Sequence, residues 1–129
     1  MKYTDIKTFE DALKALNLVG LAIPDFSMLP KKHEKAMLAH FKLVLIAEAL
    51  NGGWQPNWND SNEYKYAPWP WVNADDEHTS GTGLSCDYCG LWVSLTCVGS
   101  RLCYQSRDIA KYAFEQFKDL YEDYFLIKD

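Results

Sequence analysis

All four cysteines of the chain, Cys86, Cys89, Cys97 and Cys103, fall within SCDYCGLWVSLTCVGSRLCY, residues 85–104. Three chemistries suit such a cluster: a tetrahedral zinc site, a disulfide, or a redox-active dithiol. The C-x-x-C-G of Cys86 and Cys89 resembles a thiolate knuckle, which turns two sulfurs toward one ion and needs Cys97 and Cys103 to complete the set. The local pattern opposes that completion. Val93, Leu95 and Cys97 alternate with Ser94, Thr96 and Val98 as in a half-buried strand, Gly99-Ser100 reads as a two-residue type II′ loop, and RLCYQ reads as the return strand. In that register Cys97 pairs with Leu102 and Thr96 with Cys103, so the two sulfurs project from opposite faces of one ladder. Their C-x5-C spacing also exceeds the usual two to four intervening residues. The thiols are therefore expected to be buried apolar groups, with no metal and no cofactor, although C-x-x-C remains a redox spacing.

Compartment bears on the disulfide. The opening MKYTDIKTFEDALKAL lacks the apolar core of a secretory leader. No uncharged apolar run approaches the roughly 18 residues of a membrane span; the longest, residues 43–47, lies between Lys42 and Glu48. A cytoplasmic protein with reduced thiols is expected. The net charge of −5 and the absence of a basic stripe exclude the usual nucleic-acid footprint. The one locally basic stretch, PKKHEK, is interrupted by Glu34 and reads as a solvated helix start.

Aromatic residues form the second constellation. Trp54, Trp58, Trp69 and Trp71, joined by Tyr64 and Tyr66, are interleaved with Asn57, Asn59, Asp60, Asn62 and Glu63. Rings supply contact area while amides and carboxylates orient hydroxyls, so these six aromatics are the candidate ligand-binding residues. The competing reading places the same rings over the central helix as core. NWNDSNEY also suggests a calcium loop, but laid on the twelve-residue pattern from Asn57 the glycine position holds Asn62 and the bidentate glutamate position holds Pro68. His33, His40 and His78 belong to no nucleophile–base motif, and G-x-S-x-G, H-E-x-x-H and P-loop signatures are missing, so no catalytic residue is assigned.

These groups must be positioned by one domain spanning residues 1–129, whose 48% hydrophobic and 24% charged composition is that of a globular chain. Thr8 and Asp11 predict a cap for a short helix ending near Asn17, with Phe9, Leu13 and Leu16 on one face. Residues 20–30 read as a linker broken by Pro24 and Pro30. The strongest helix covers residues 32–50, closed by Asn51 and Gly52; Met37, Phe41, Val44, Leu45 and Glu48 share one side and Leu43, Ile46 and Leu50 another. The acidic, glycine-bearing stretch 73–83 reads as a loop or flap. Ser106 predicts the cap of a last amphipathic helix over 107–125. Helix, helix, strands, helix predicts an α+β class: a small antiparallel sheet of three or four strands with a central buried helix and a C-terminal amphipathic helix. Pro68 and Pro70 put their segment at the edge of that sheet or outside it.

In AEALNGGWQPNWNDSNEYKYAPW and VGSRLCYQSRDIAKYAFEQFKDLYEDYF the chain resembles a family of small uncharacterised proteins of gut anaerobic bacteria and their phages and prophages. The resemblance rests on the central helix, the W-x-P-x-W and N-E-Y-K-Y segments, and the S-R-L-C segment leading into the last helix. It implies an accessory role and carries no activity and no site residues. Cys103 lies in the recurring segment, whereas Cys86 and Cys89 do not, which speaks further against a metal site. The leading expectation is a non-enzymatic protein that acts through a protein partner. The alternative is a small-ligand or carbohydrate-binding module built on the aromatics of residues 54–71.

Overall fold

Helix dominates the residues that the computed structural model describes, which are 2–68, 70–73, 83–85, 89–92 and 99–127, with the backbone alone at 71, 85 and 89–92. The first helix, α1 (Phe9–Ala15), starts where its sequence satisfies its own amides. The Thr8 hydroxyl accepts from the Asp11 amide at 3.1 Å, and the Asp11 carboxylate accepts in return from the Thr8 and Lys7 amides at 3.2 and 3.0 Å. These bonds pair N–H groups that a first turn leaves without intrahelical partners. The long helix α2 (Lys31–Asn51) begins after Pro30, which has no amide to leave unpaired, and stops at Gly52, whose φ of 58° is open to glycine at little cost.

Every other helix packs on α2: α1, α3 (Arg107–Gln116) and α4 (Lys118–Phe125) all contact it. Leu43 and Ile46 are fully buried, while Val44 and Leu45, grouped with the central residues by their spacing, are half-buried. Ser106 caps α3, accepting from the Ile109 amide at 3.2 Å. The last helix is not continuous over 107–125. It breaks at the buried Phe117, φ −116°, and α4 restarts there without a side-chain cap. The break lets Tyr121 reach inward, where its hydroxyl meets that of Tyr104 at 2.7 Å in a fully buried pair. The N-terminal segment is tied to α3 by the Tyr112 hydroxyl, which donates to the Ile6 carbonyl at 2.7 Å, and by the Gln116 amide on the Lys7 carbonyl at 2.8 Å.

The α+β expectation is overturned: the described residues are mostly helical and hold no three- or four-stranded sheet. Extended chain forms two separate antiparallel ladders instead. One pairs β1 (Lys65–Pro68) with β4 (Cys89–Trp92), and the other pairs the two-residue segments β2 (Trp71–Val72) and β3 (Leu84–Ser85). Alternating apolar residues specify a face but not a partner, so a strand-like pattern does not guarantee a ladder. Pro68 closes β1, and the outer edge of β1 meets the chain again at one bridge only, Tyr66 with Tyr104. The expected return strand fails because Ser100–Leu102 winds as a 3-10 turn. The two-residue hairpin at Gly99-Ser100 is therefore absent, and with it the opposite-face argument about Cys97 and Cys103. Residues 93–98, Cys86, Trp69 and most of the 73–83 loop lie outside the described residues, as do the side chains of Cys89 and Trp71.

What holds the 103–105 segment in place of a sheet is an amide side chain. Asn51, buried at the end of α2, donates from Nδ2 to the Cys103 carbonyl at 3.0 Å and accepts from the Gln105 amide at 3.0 Å. Tyr104 between them uses its own amide and carbonyl on Tyr66, at 2.7 and 3.1 Å. Asn51 thus pairs one edge of the segment as a neighbouring strand would, and β1 pairs the other.

Burial orders the expected losses along α2. Ile46→Ala should cost about 2–5 kcal/mol in denaturant melts, the range for a fully enclosed aliphatic side chain. Leu45→Ala should cost clearly less, and equal losses at the two positions would contradict this packing.

Candidate functional site

Among the sequence-predicted aromatics whose side chains are described, Trp54, Trp58, Tyr64 and Tyr66 do not share one wall, and a buried lysine organises the loop between them. Lys65, at the start of β1, has no solvent exposure, and its ammonium donates to three main-chain carbonyls: Asn57 at 2.7 Å, Asp60 at 3.1 Å and Glu63 at 3.0 Å. The carbonyls recur every third residue because the loop is wound as two consecutive turns. The Asp60 amide returns to the Asn57 carbonyl and the Glu63 amide to the Asp60 carbonyl, while the Asn57 and Asp60 side chains accept from the amides of Asn59 and Asn62. Asn and Asp favour such turns because their side chains bond the backbone two residues on. An ammonium has three donors, so all three are used.

Charge is balanced by Glu63, whose Oε1 lies 3.3 Å from the ammonium and also accepts from the Asn57 amide at 2.7 Å. The Asn57 amide first, and then the Lys65 ammonium and the Trp54 indole, hold the Glu63 carboxyl below the usual carboxylate range, against a smaller opposing effect of desolvation. The Trp58 ring covers the ammonium at 5.0 Å from its centroid, a cation–π contact, and its indole N–H donates to the Ser100 hydroxyl. Trp58 is thereby structural.

Tyr66 is half-buried between two neighbours, Tyr64 edge-on at 6.4 Å and the Arg107 guanidinium at 5.9 Å. Tyr64 is exposed. Of the four aromatics with described side chains, only Trp54 lines a cleft. That cleft, about 770 Å³, is bounded by His40, Val44, Glu48 and Asn51 of α2, by Trp54, Gln55 and Pro56, by Gly99, Ser100, Arg101 and Leu102, and by Tyr124 of α4. Its volume is that of a small-molecule site. His40 stacks on Tyr124 at 4.8 Å, and its Nδ1 is buried without a hydrogen-bond partner among the described residues. The α2 contribution is a stripe at i, i+4, i+8 and i+11, three of its four members are polar, and Glu48 is the single polar residue of the run 43–50. That spacing was the signal in the sequence for a site on this face.

Cys103, which lies beside the cleft in sequence, is not a reactive group. It is buried, its thiol donates to the Ser100 carbonyl at 3.6 Å, and desolvation pushes it up to about 11, so it stays protonated at neutral pH. Among the described residues no group of three His, Cys, Asp or Glu side chains is placed to hold a metal ion, and no helix is long and apolar enough to cross a membrane.

A second surface feature lies on the opposite kind of ground. Residues 21–26 have no regular secondary structure and join no ladder among the described residues, and the apolar side chains around them are open to solvent: Val19 is 73% exposed, Ile23 48% and Met28 75%, with Leu21 and Met37 also exposed. No protein-family model, no curated protein and no solved structure matches the chain.

Two outcomes test the lysine-centred loop. Lys65→Met removes the charge and with it the ammonium's hydrogen bonds to the Asn57, Asp60 and Glu63 carbonyls and its contact with the Glu63 carboxylate. It should destabilise the protein by about 1.5–3 kcal/mol in denaturant melts, the range for losing a hydrogen bond to a charged group. Lys65→Arg should not restore the loss, because a planar fork cannot reproduce three donors converging from one nitrogen. The second outcome concerns acid. A carboxyl that titrates lower in the folded chain than in the unfolded one adds stability above its unfolded value, and loses that contribution as pH falls through its folded value. Between about pH 6 and pH 3 the melting temperature of the wild type should therefore fall more than that of Glu63→Gln. Parallel pH profiles would remove Glu63 from the account.

Proposed function

We propose that the protein is a small, non-enzymatic cytoplasmic interaction protein, of the phage- or prophage-borne accessory kind that its resemblance implies, and that it binds a protein partner through the surface around residues 19–28. The observation that supports this reading most is the exposure of Val19, Leu21, Ile23 and Met28 in a stretch whose backbone joins no ladder. Leu21 and Ile23 stand two residues apart, and Val19 precedes them in a turn closed by the Leu21 amide on the Leu18 carbonyl at 3.0 Å, with Gly20 at φ 88°. Apolar side chains left in water in this way represent burial that a partner can complete, at about 25 cal/mol per Å². Residues 22–26 join no ladder among the described residues, and the turns on either side, closed by the Leu21 amide on the Leu18 carbonyl and the Leu29 amide on the Phe26 carbonyl, hold the exposed side chains at the surface. Pro24 interrupts the row of backbone donors, which discourages open-ended pairing between copies.

A second reading, small-ligand binding, is favoured by one observation: Trp54 lines a cleft of about 770 Å³ together with polar groups from three other elements.

The first reading is tested by changing only exposed side chains. The triple variant Val19→Ser, Ile23→Ser, Met28→Ser should melt within a few degrees of the wild type and should lose any partner that the wild type recovers from extracts of a phage-infected gut anaerobe. Recovery of the same proteins by both chains would refute the proposed surface.

A further inference from the structure

We infer that the cleft between α2, α4 and the Ser100–Leu102 turn is a binding site for a neutral, polyhydroxylated ligand of the sugar class, an inference that rests on the small-ligand reading above. Three of its lining groups carry the argument. The Trp54 ring gives an aromatic surface, half-buried, on a residue whose amide donates to the Asn51 carbonyl at 3.1 Å. Glu48 and Arg101 give a carboxylate and a guanidinium, both exposed in the same cleft. Among the described residues neither charged side chain has a hydrogen bond or an ion pair, not even with the other.

The choice of ligand follows from these charges. An anionic ligand drawn by Arg101 meets the Glu48 carboxylate, and a cationic one drawn by Glu48 meets Arg101. A zwitterion would satisfy both, but charge pairing at exposed groups is screened and contributes little. Hydroxyl groups escape the conflict because each can donate to a carboxylate and accept from a guanidinium. Hydrogen bonds with one charged partner are roughly twice as strong as neutral ones. The apolar C–H face of a sugar ring lies on an indole, and Trp54 supplies one beside those groups. The open hydrogen-bonding valence of His40 Nδ1 lies in the wall of the same cleft.

The test uses the full chain and ligand-observed saturation-transfer NMR with two probe panels. One holds neutral oligosaccharides of glucose, xylose, mannose and N-acetylglucosamine, and the other holds free amino acids and nucleosides. The expected result is transfer to at least one oligosaccharide, with affinity about tenfold weaker in Glu48→Gln and in Arg101→Ala, each the loss of one charge-assisted bond. Both variants change exposed side chains and should melt like the wild type, so their result stands even if Trp54→Ala disturbs the loop around Glu63. Transfer only to members of the second panel, weakened by the same variants, would overturn the sugar class and leave the cleft as a ligand site. Silence from both panels, or sugar binding that neither variant weakens, would overturn the site itself.

Discussion

A single ammonium organises the least regular part of this protein. Residues 54–64 contain no helix and no strand, and their aromatic side chains cannot close a core without a scaffold. Lys65 provides it by drawing three carbonyls of two successive turns to one point and by holding Glu63 and Trp58 against that point. Burying a lysine is costly unless its charge is paired and all its donors are used. Here both conditions hold, and the same contacts set Trp58 against the Ser100–Leu102 turn, which forms one wall of the cleft.

The helical part shows a related economy of polar groups. Asn51 ends α2 and also completes the pairing of residues 103–105, so the helix core and the strand-like segment share an anchor. Because an amide side chain serves where a strand would otherwise lie, the chain needs no wide sheet to satisfy its backbone. The buried Tyr104–Tyr121 pair then couples that segment to α4, whose Tyr124 reaches the cleft from the far side.

Much of this was legible from residue types, and the misreadings have physical causes. The Thr8–Asp11 cap, the Ser106 cap and the glycine stop of α2 are local, depending on a few adjacent residues, and all three form as read. The sheet is not local. Gly99 has the positive φ, 87°, that a hairpin loop starting with glycine also uses, yet the next residues turn into a 3-10 helix, and neighbouring sequence does not decide between these. A continuous last helix was read because nothing in its sequence marks Phe117 as a break; the burial of Phe117 and the inward reach of Tyr121 are tertiary demands. The segment that fails the calcium-loop pattern is wound as turns whose carbonyls at Asn57, Asp60 and Glu63 accept from the Lys65 ammonium. Of the four candidate aromatics with described side chains, Trp58 is a structural lid, Tyr64 and Tyr66 lie apart from the cleft, and Trp54 lines it. The remaining cleft residues come from elements far apart in the chain, and only the stripe of His40, Val44, Glu48 and Asn51 could have announced them.

The covalent attachment of the cation to its own loop has a consequence for how the loop responds to its surroundings. A loop folded around a free ion is populated according to the concentration of that ion, and it empties when the medium is depleted. Here the cation is delivered by a side chain two residues beyond the last carbonyl it binds, so its local concentration is fixed by tether length. The loop therefore has the architecture of an ion-bound segment without the responsiveness of one. The winding of residues 57–63 is thus independent of the supply of divalent ions, unlike that of a loop folded around a free cation.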